Sequence, residues 1–362
     1  MKNSLSVFPR TVTAVAYLAI VLTLATPATC VERHTLPGHV PEAVARLNLQ
    51  PLGRLPTTNR LHLAIGLPLR NTNELSRLLQ DVYDPASPQF RHYLTPEQFT
   101  ERFGPMKQEY EAVRQFAEAH GLEIVQQHGS RVVLSVAGQV ADIERAFHVR
   151  LCTYAHPKEA RQFYAPDVEP SVEASLPVLD MTGLDNYAIP HPLYHLNPHP
   201  GRGYPGAGSG PDGLYMGRDF RNAYVPGVTL TGTGQNVGLV AFAGYPASDV
   251  ATYENLAGLP HVPVQLILLD GFNGVPVFDG TGAGEVTLDI VMALSMAPGL
   301  AGIVVFDAGH TGLWNDVLAA MAANPQIKQL SSSWGGVPQC HKRPPLSTDS
   351  AARTILLCSL GR

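Results

Sequence analysis

The chain has 362 residues, enough for two domains with separate cores. Hydrophobic residues make up 45% and charged residues 15%, which fits a folded chain rather than a disordered one. A net charge of −5, with no cluster of Lys and Arg in the body of the chain, argues against a nucleic-acid partner.

Lys2 and Arg10 flank the start of an apolar run, Thr11–Leu24, and Ala25-Thr26-Pro27-Ala28 supplies small residues for cleavage. Residues 1–30 therefore read as a signal peptide, and the expected location is extracellular. The run is shorter than the roughly 20 apolar residues of a membrane span, so no stable membrane association is expected, although a membrane anchor is the competing reading. Cys30, Cys152, Cys340 and Cys358 are too few for a disulfide scaffold. They also lack neighbours at zinc-ligand spacing. Cys340 and Cys358 are close enough in sequence to pair, which spacing alone does not decide.

From about residue 60 to 155 short strands alternate with helices. Leu61–Leu67 alternates as a strand, and Asn73 stands where it can cap a helix over Glu74–Leu79. Lys107–Ala119 is a second helix, closed by His120-Gly121. Leu122–Gln127 and Arg131–Ala137 are strands around a His128-Gly129-Ser130 turn, followed by a helix over Gln139–Phe147 and a closing strand over Val149–Tyr154. This order predicts a ferredoxin-like α+β sheet with one additional helix. The histidines of this region, His62, His92, His120, His128, His148 and His156, are expected at the surface or in packing positions. The competing reading is that their joint protonation in acid loosens the region's contacts.

Residues 187–213 are rich in Pro, Gly and His. His191, His195 and His199 recur every fourth residue, but Pro190, Pro192, Pro198 and Pro200 prevent a regular helix. They do not share a face, no metal site is expected, and the segment reads as an exposed linker open to proteolysis.

Beyond the linker the pattern changes. Val237–Phe242, Val264–Leu269, Gly302–Phe306 and Ile327–Ser332 read as strands, with helices over Glu285–Ser295 and Trp314–Ala323. Short apolar strands joined by helices predict a parallel sheet covered on both faces, an α/β fold. Asp270, Asp279 and Asp307 fall at strand ends or turns and are expected to be structural. Residues 337–362 continue neither pattern and read as an aberrant tail.

Within Gly284–Pro298 the charged residues are Glu285 and Asp289, set among Val286, Leu288, Ile290 and Val291. Four residues apart on a helix, they share a face with Cβ atoms roughly 5–6 Å apart. A carboxylate pair on a core helix is costly, and acid–base chemistry is a reason to keep one.

Asp84–Pro105 closely resembles the activation prodomain of the sedolisin–kumamolisin family of serine-carboxyl peptidases. Tyr215–Tyr224, Val237–Asp249, the Gly284–Pro298 helix and Ser331-Ser332-Ser333-Trp334-Gly335 are similar to parts of that family's catalytic domain. The resemblance implies a subtilisin-like fold and a domain order of signal peptide (1–30), activation prodomain (31–186), processing linker (187–213), amino-terminal part of a peptidase domain (214–336) and tail (337–362). It implies Glu285 as general base and acid, Asp289 as its partner, and Trp334 and Gly335 in the substrate cleft. It also implies an extracellular proform of an endopeptidase acting on proteins in acid. The family's Gly-Thr-Ser nucleophile, Gly-Asp-Ser-Gly turn and calcium loop have no counterpart, and Ser331, Ser332 and Ser333 are poor substitutes for the nucleophile. A truncated, inactive chain without a cofactor is therefore expected. Expected partners are protein or peptide substrates and, for the prodomain, its own catalytic domain. The competing reading is a non-enzymatic inhibitor or folding assistant of an intact relative.

Overall fold

The computed structural model describes residues 32–193, 207–277 and 282–336. The leader at 1–30, His195, His199, Asp279, Cys340, Cys358 and the 337–362 tail lie outside the described residues. The described chain is mixed α/β, with several sheets.

The amino-terminal half is built on four antiparallel strands: β1 (Arg60–Gly66), β2 (Glu123–Gln127), β3 (Val133–Gln139) and β4 (Asp180–Thr182), in the order β2-β3-β1-β4. Beside a single short helical stretch at Glu42–Arg46, four longer helices belong to the described part of this half: α1 (Thr72–Tyr83), α2 (Pro96–Arg102), α3 (Lys107–Ala119) and α4 (Val140–Phe147). α3 has the predicted bounds, because Tyr110, Val113, Phe116 and Ala117 give it one buried stripe and Gly121, at φ 78°, turns the chain out of it. α1 starts two residues before the prediction. Asn71 stands at its amino terminus without a capping bond, and its side chain donates to the Arg102 carbonyl at 2.8 Å.

The predicted closing strand is the main correction. Residues Leu151–Ala155 leave the four-stranded sheet and pair with Gln162–Pro166 and Gly53–Arg54 in a separate three-stranded sheet. A hairpin partner seven residues away closes with little entropy loss. The place beside β1 then goes to β4, only three residues long, which arrives from much further along the chain. The core between sheet and helices holds Leu63, Ile65, Leu134, Ile143, Phe147 and Met181.

In the carboxy-terminal half β5 (Asn236–Ala241), β6 (Val264–Leu268), β7 (Gly302–Asp307) and β8 (Gln329–Ser331) form a parallel sheet in the order β6-β7-β5-β8. β7 is buried along its whole length, as a central strand covered on both faces must be. Helices α5 (Ala247–Ala257), α6 (Gly282–Met296) and α7 (Trp314–Ala323) join these strands. β7 and α7 agree with the sequence to within a residue, whereas α5 was not predicted because it buries only Val250 and Glu254. Asp307 is structural, as expected: its two carboxylate oxygens accept from the Gly244 and Gly309 amides at 2.7 and 2.9 Å.

The two halves touch along α7, where Ala319 packs against Ala64 of β1 and Val133 of β3.

Candidate active site

α6 carries the acidic pair with its apolar face, Val286, Ile290 and Leu294, fully buried against the parallel sheet. That packing leaves Glu285 only 2% exposed and Asp289 half-buried. Glu285 Oε2 and Asp289 Oδ2 are both buried without a hydrogen-bond partner. The other Asp289 oxygen, Oδ1, accepts from the Ser333 hydroxyl at 2.6 Å. Burial, and then the like-charged neighbour, push the Glu285 carboxyl up to about 7. Burial also raises Asp289, while the Ser333 hydrogen bond favours its charged form and works against that rise. A buried carboxyl pair of this kind can hold one proton between two sites well above the usual carboxylate range.

Trp334 follows Ser333 directly and is buried. Its ring lies 5.4 Å from that of Phe242, which lies 4.8 Å from Trp314, so three aromatic rings back the strand end beside the pair. Gly335 pairs with His191, and Pro192 with Trp334, in a short antiparallel ladder. The Leu193 amide donates to the Ser333 carbonyl at 3.0 Å. The first residues of the predicted linker thus lie as an added strand along 333–336, next to α6. The glycines make this approach feasible: a Cβ on Gly335 would meet the Leu193 side chain at 2.6 Å, and one on Gly336, at φ 82°, would meet the Ile189 carbonyl oxygen at 2.1 Å.

The structure brings Glu285, Asp289 and the Ser333–Gly336 strand together. Sequence reasoning missed two contributors. Ser333 was weighed as a nucleophile and instead serves Asp289 as a hydrogen-bond donor. Residues 189–193 carry two prolines and show no strand period, so nothing in them signalled a paired segment.

Comparison with known proteins supplies the class. Residues 48–187 match the model of the pro-kumamolisin activation domain. Kumamolisin of Bacillus sp. (strain MN-32) is 30% identical over 319 residues, covering 84% of this chain and 56% of that protein. Xanthomonalisin of Xanthomonas sp. (strain T-22) is 26% identical over 265 residues, 71% of this chain and 32% of its own. Sedolisin of Pseudomonas sp. (strain 101) is 24% identical over 305 residues, 81% and 51% respectively. With an activation domain matched in the first half and three such peptidases aligned across both halves, the chain belongs to the sedolisin family. It spans between a third and just over half of the length of these relatives.

Proposed function

We propose that the chain is the proform of an extracellular serine-carboxyl endopeptidase that acts on proteins in acid. In this reading residues 31–186 form an inhibitory activation domain with a ferredoxin-like sheet. Residues 187–213 are the processing linker, and residues from 214 begin a subtilisin-like peptidase domain. The observation that carries the proposal is the buried Glu285–Asp289 pair, with one oxygen of each carboxyl left unpartnered.

The chemistry follows from that arrangement. An imidazole base is charged and idle in acid, whereas a carboxyl pair sharing one proton can still accept another. As Glu285 takes a proton from an attacking hydroxyl, it can pass its own to Asp289. Ser333 favours the charged Asp289 that would receive it. The proposal needs no cofactor, since only protons move. The attacking serine belongs to a Gly-Thr-Ser motif in the resemblance, and that motif does not occur in these residues. Accordingly we expect the chain as written to leave an unfolded protein uncut at about pH 4. The linker strand on residues 333–336 supports the inhibitory part, since it occupies the edge where the resemblance puts a substrate.

Infrared titration of the carboxyl C=O band tests the acid pair. Among the carboxylic acids that persist toward neutral pH, one component should titrate at about pH 7 and be missing in Glu285→Gln. A Glu285 that ionises near 4.5, like a solvated one, would remove the basis of the proposal.

A further inference from the structure

Where the two halves meet, one polar bridge is buried under α7. The Ser135 hydroxyl of β3 donates to Asp316 Oδ1 at 2.7 Å, and its oxygen lies 3.1 Å from His128 Nε2. His128 and Asp316 are each 1% exposed at the side chain, with Nε2 and Oδ1 3.9 Å apart. Since the Ser135 proton is spent on Asp316, the Ser135 oxygen must accept from His128 Nε2–H, which sets the imidazole tautomer.

Other titratable and charged groups lie on the elements packed around the bridge. Asp270, which accepts from the Leu313 amide at 2.6 Å, is the like-charged neighbour of Asp316 and can take its hydrogen bond. The Tyr110 hydroxyl of α3 donates to the Val133 carbonyl at 3.2 Å, and the His62 ring of β1 lies beside Gly271. The Arg131 guanidinium, in the same turn as His128, is held by the Pro105 and Thr100 carbonyls. On the sheet side, each Asp307 oxygen accepts from a backbone amide, while burial raises its carboxyl.

We propose that the His128–Ser135–Asp316 bridge keeps the amino-terminal sheet docked on α7 in acid by holding a single proton and no net charge.

The argument is one of proton counting. Separated in water, Asp316 would ionise near 3.8 and His128 near 6.5. Between those values the separated pair carries one proton, on His128, with Asp316 charged. Docked, burial and then Asp270 hold Asp316 well above its ordinary range, and burial holds His128 down to about 4. The docked pair still carries one proton, now on Asp316, and both members are neutral. Taken singly, the raised Asp316 contributes docking stability that is full below 3.8 and is lost as pH rises. The depressed His128 contributes stability that is full above 6.5 and is lost as pH falls toward about 4. In the window between, the slopes oppose and cancel, because docking moves the proton from His128 to Asp316 and takes none from solvent. Above 6.5 the separated pair has lost its proton while the docked pair keeps it, so docking weakens as pH rises. Protonation of this buried histidine therefore does not release the amino-terminal half, which goes against the competing reading of the histidines and fits His128 in a packing position. If that half is the activation domain proposed above, cleavage in the 187–213 linker must free it.

Thermal unfolding of the full chain between pH 4 and 6.5, followed by the fluorescence of Trp314 and Trp334, tests the bridge in the wild type, His128→Gln and Asp316→Asn. The gap between wild type and His128→Gln should widen by about 3 °C or more as pH rises. The gap to Asp316→Asn should widen by a similar amount as pH falls. Gaps that stay constant, or that move in the same direction, would overturn the proposal. Nitrogen-15 titration of the imidazoles in the unmutated chain gives a readout that survives a variant's failure to fold. His128 neutral at pH 5 is the expected result, and His128 protonated there refutes it. A Glu285 that titrates normally would defeat the peptidase reading and leave these results untouched.

Discussion

A carboxyl group that holds its proton near neutral pH needs a site from which water is kept out, and Glu285 has one because Val286, Ile290 and Leu294 on the same helix seal α6 against the sheet. The price is stability. A carboxyl raised in the fold from 4.5 to about 7 contributes fully below 4.5, and that contribution is lost as pH rises through 7. Glu285→Gln removes this dependence. Relative to wild type, the variant should gain roughly 3 kcal/mol of stability between pH 4 and pH 8, from a shift of about 2.5 units at 1.36 kcal/mol each. Urea unfolding at the two pH values measures the gain. A difference between the proteins that is the same at both would mean that Glu285 ionises as it does in the unfolded chain. Ser333 acts on the neighbouring group: its hydroxyl stabilises the Asp289 charge, so Ser333→Ala should raise the Asp289 pKa, read from the same carboxyl titration.

At the scale of elements, the short ladder between 191–192 and 334–335 depends on the absence of side chains. Gly336→Ala would put a Cβ 2.1 Å from the Ile189 carbonyl at a φ of 82°, and neither the backbone atom nor the dihedral can yield cheaply. The linker strand should lift away, so limited proteolysis with an added endopeptidase should cut near 189–193 faster than in wild type, with the circular dichroism of the helices unchanged. Equal cutting rates would show that the pairing does not protect the segment. This ladder could not be read from the sequence, because two residues including a proline carry no period. The same limit hid β4, three residues long, and assigned Leu151–Ala155 to the wrong sheet. Alternation identifies a strand but not its partner. By contrast α3 and α7 were legible to the residue, each from a helical apolar stripe and a clear stop. The α2 cap was legible too and went unread: Thr95-Pro96-Glu97-Gln98 forms a reciprocal capping box, with bonds of 2.9 and 3.2 Å. In the site, Glu285 and Asp289 could be read because charges stand out in an apolar helix. The role of Ser333 depends on a contact across 44 residues, which no local pattern carries.

For the whole molecule, the joint between the halves combines a small apolar contact with the buried polar bridge. Ala319 meets Ala64 and Val133 within this contact, all three nearly inaccessible to water. Methyl-sized side chains allow α7 to approach the amino-terminal sheet closely enough for Asp316 to reach Ser135, so apolar fit and hydrogen bond depend on each other. Ala64→Leu adds three carbons on the β1 side of the joint, where Ala64 is wholly inaccessible, and should cost about 1–3 kcal/mol through overpacking. The strain has two outlets. If the halves separate slightly, the Ser135–Asp316 bond lengthens, water enters, and Asp316 returns toward an ordinary carboxylate. If each half distorts internally, Asp316 stays protonated and the loss appears as a lower unfolding temperature alone. Because each half has its own core, the joint should yield first. Ala64→Leu should therefore ionise Asp316 at neutral pH while both cores keep their slow amide exchange. Infrared titration and hydrogen exchange on the same sample distinguish the outlets. An Asp316 that remains protonated alongside faster exchange in the β1–β3 amides would show that the joint is stiffer than the amino-terminal core behind it.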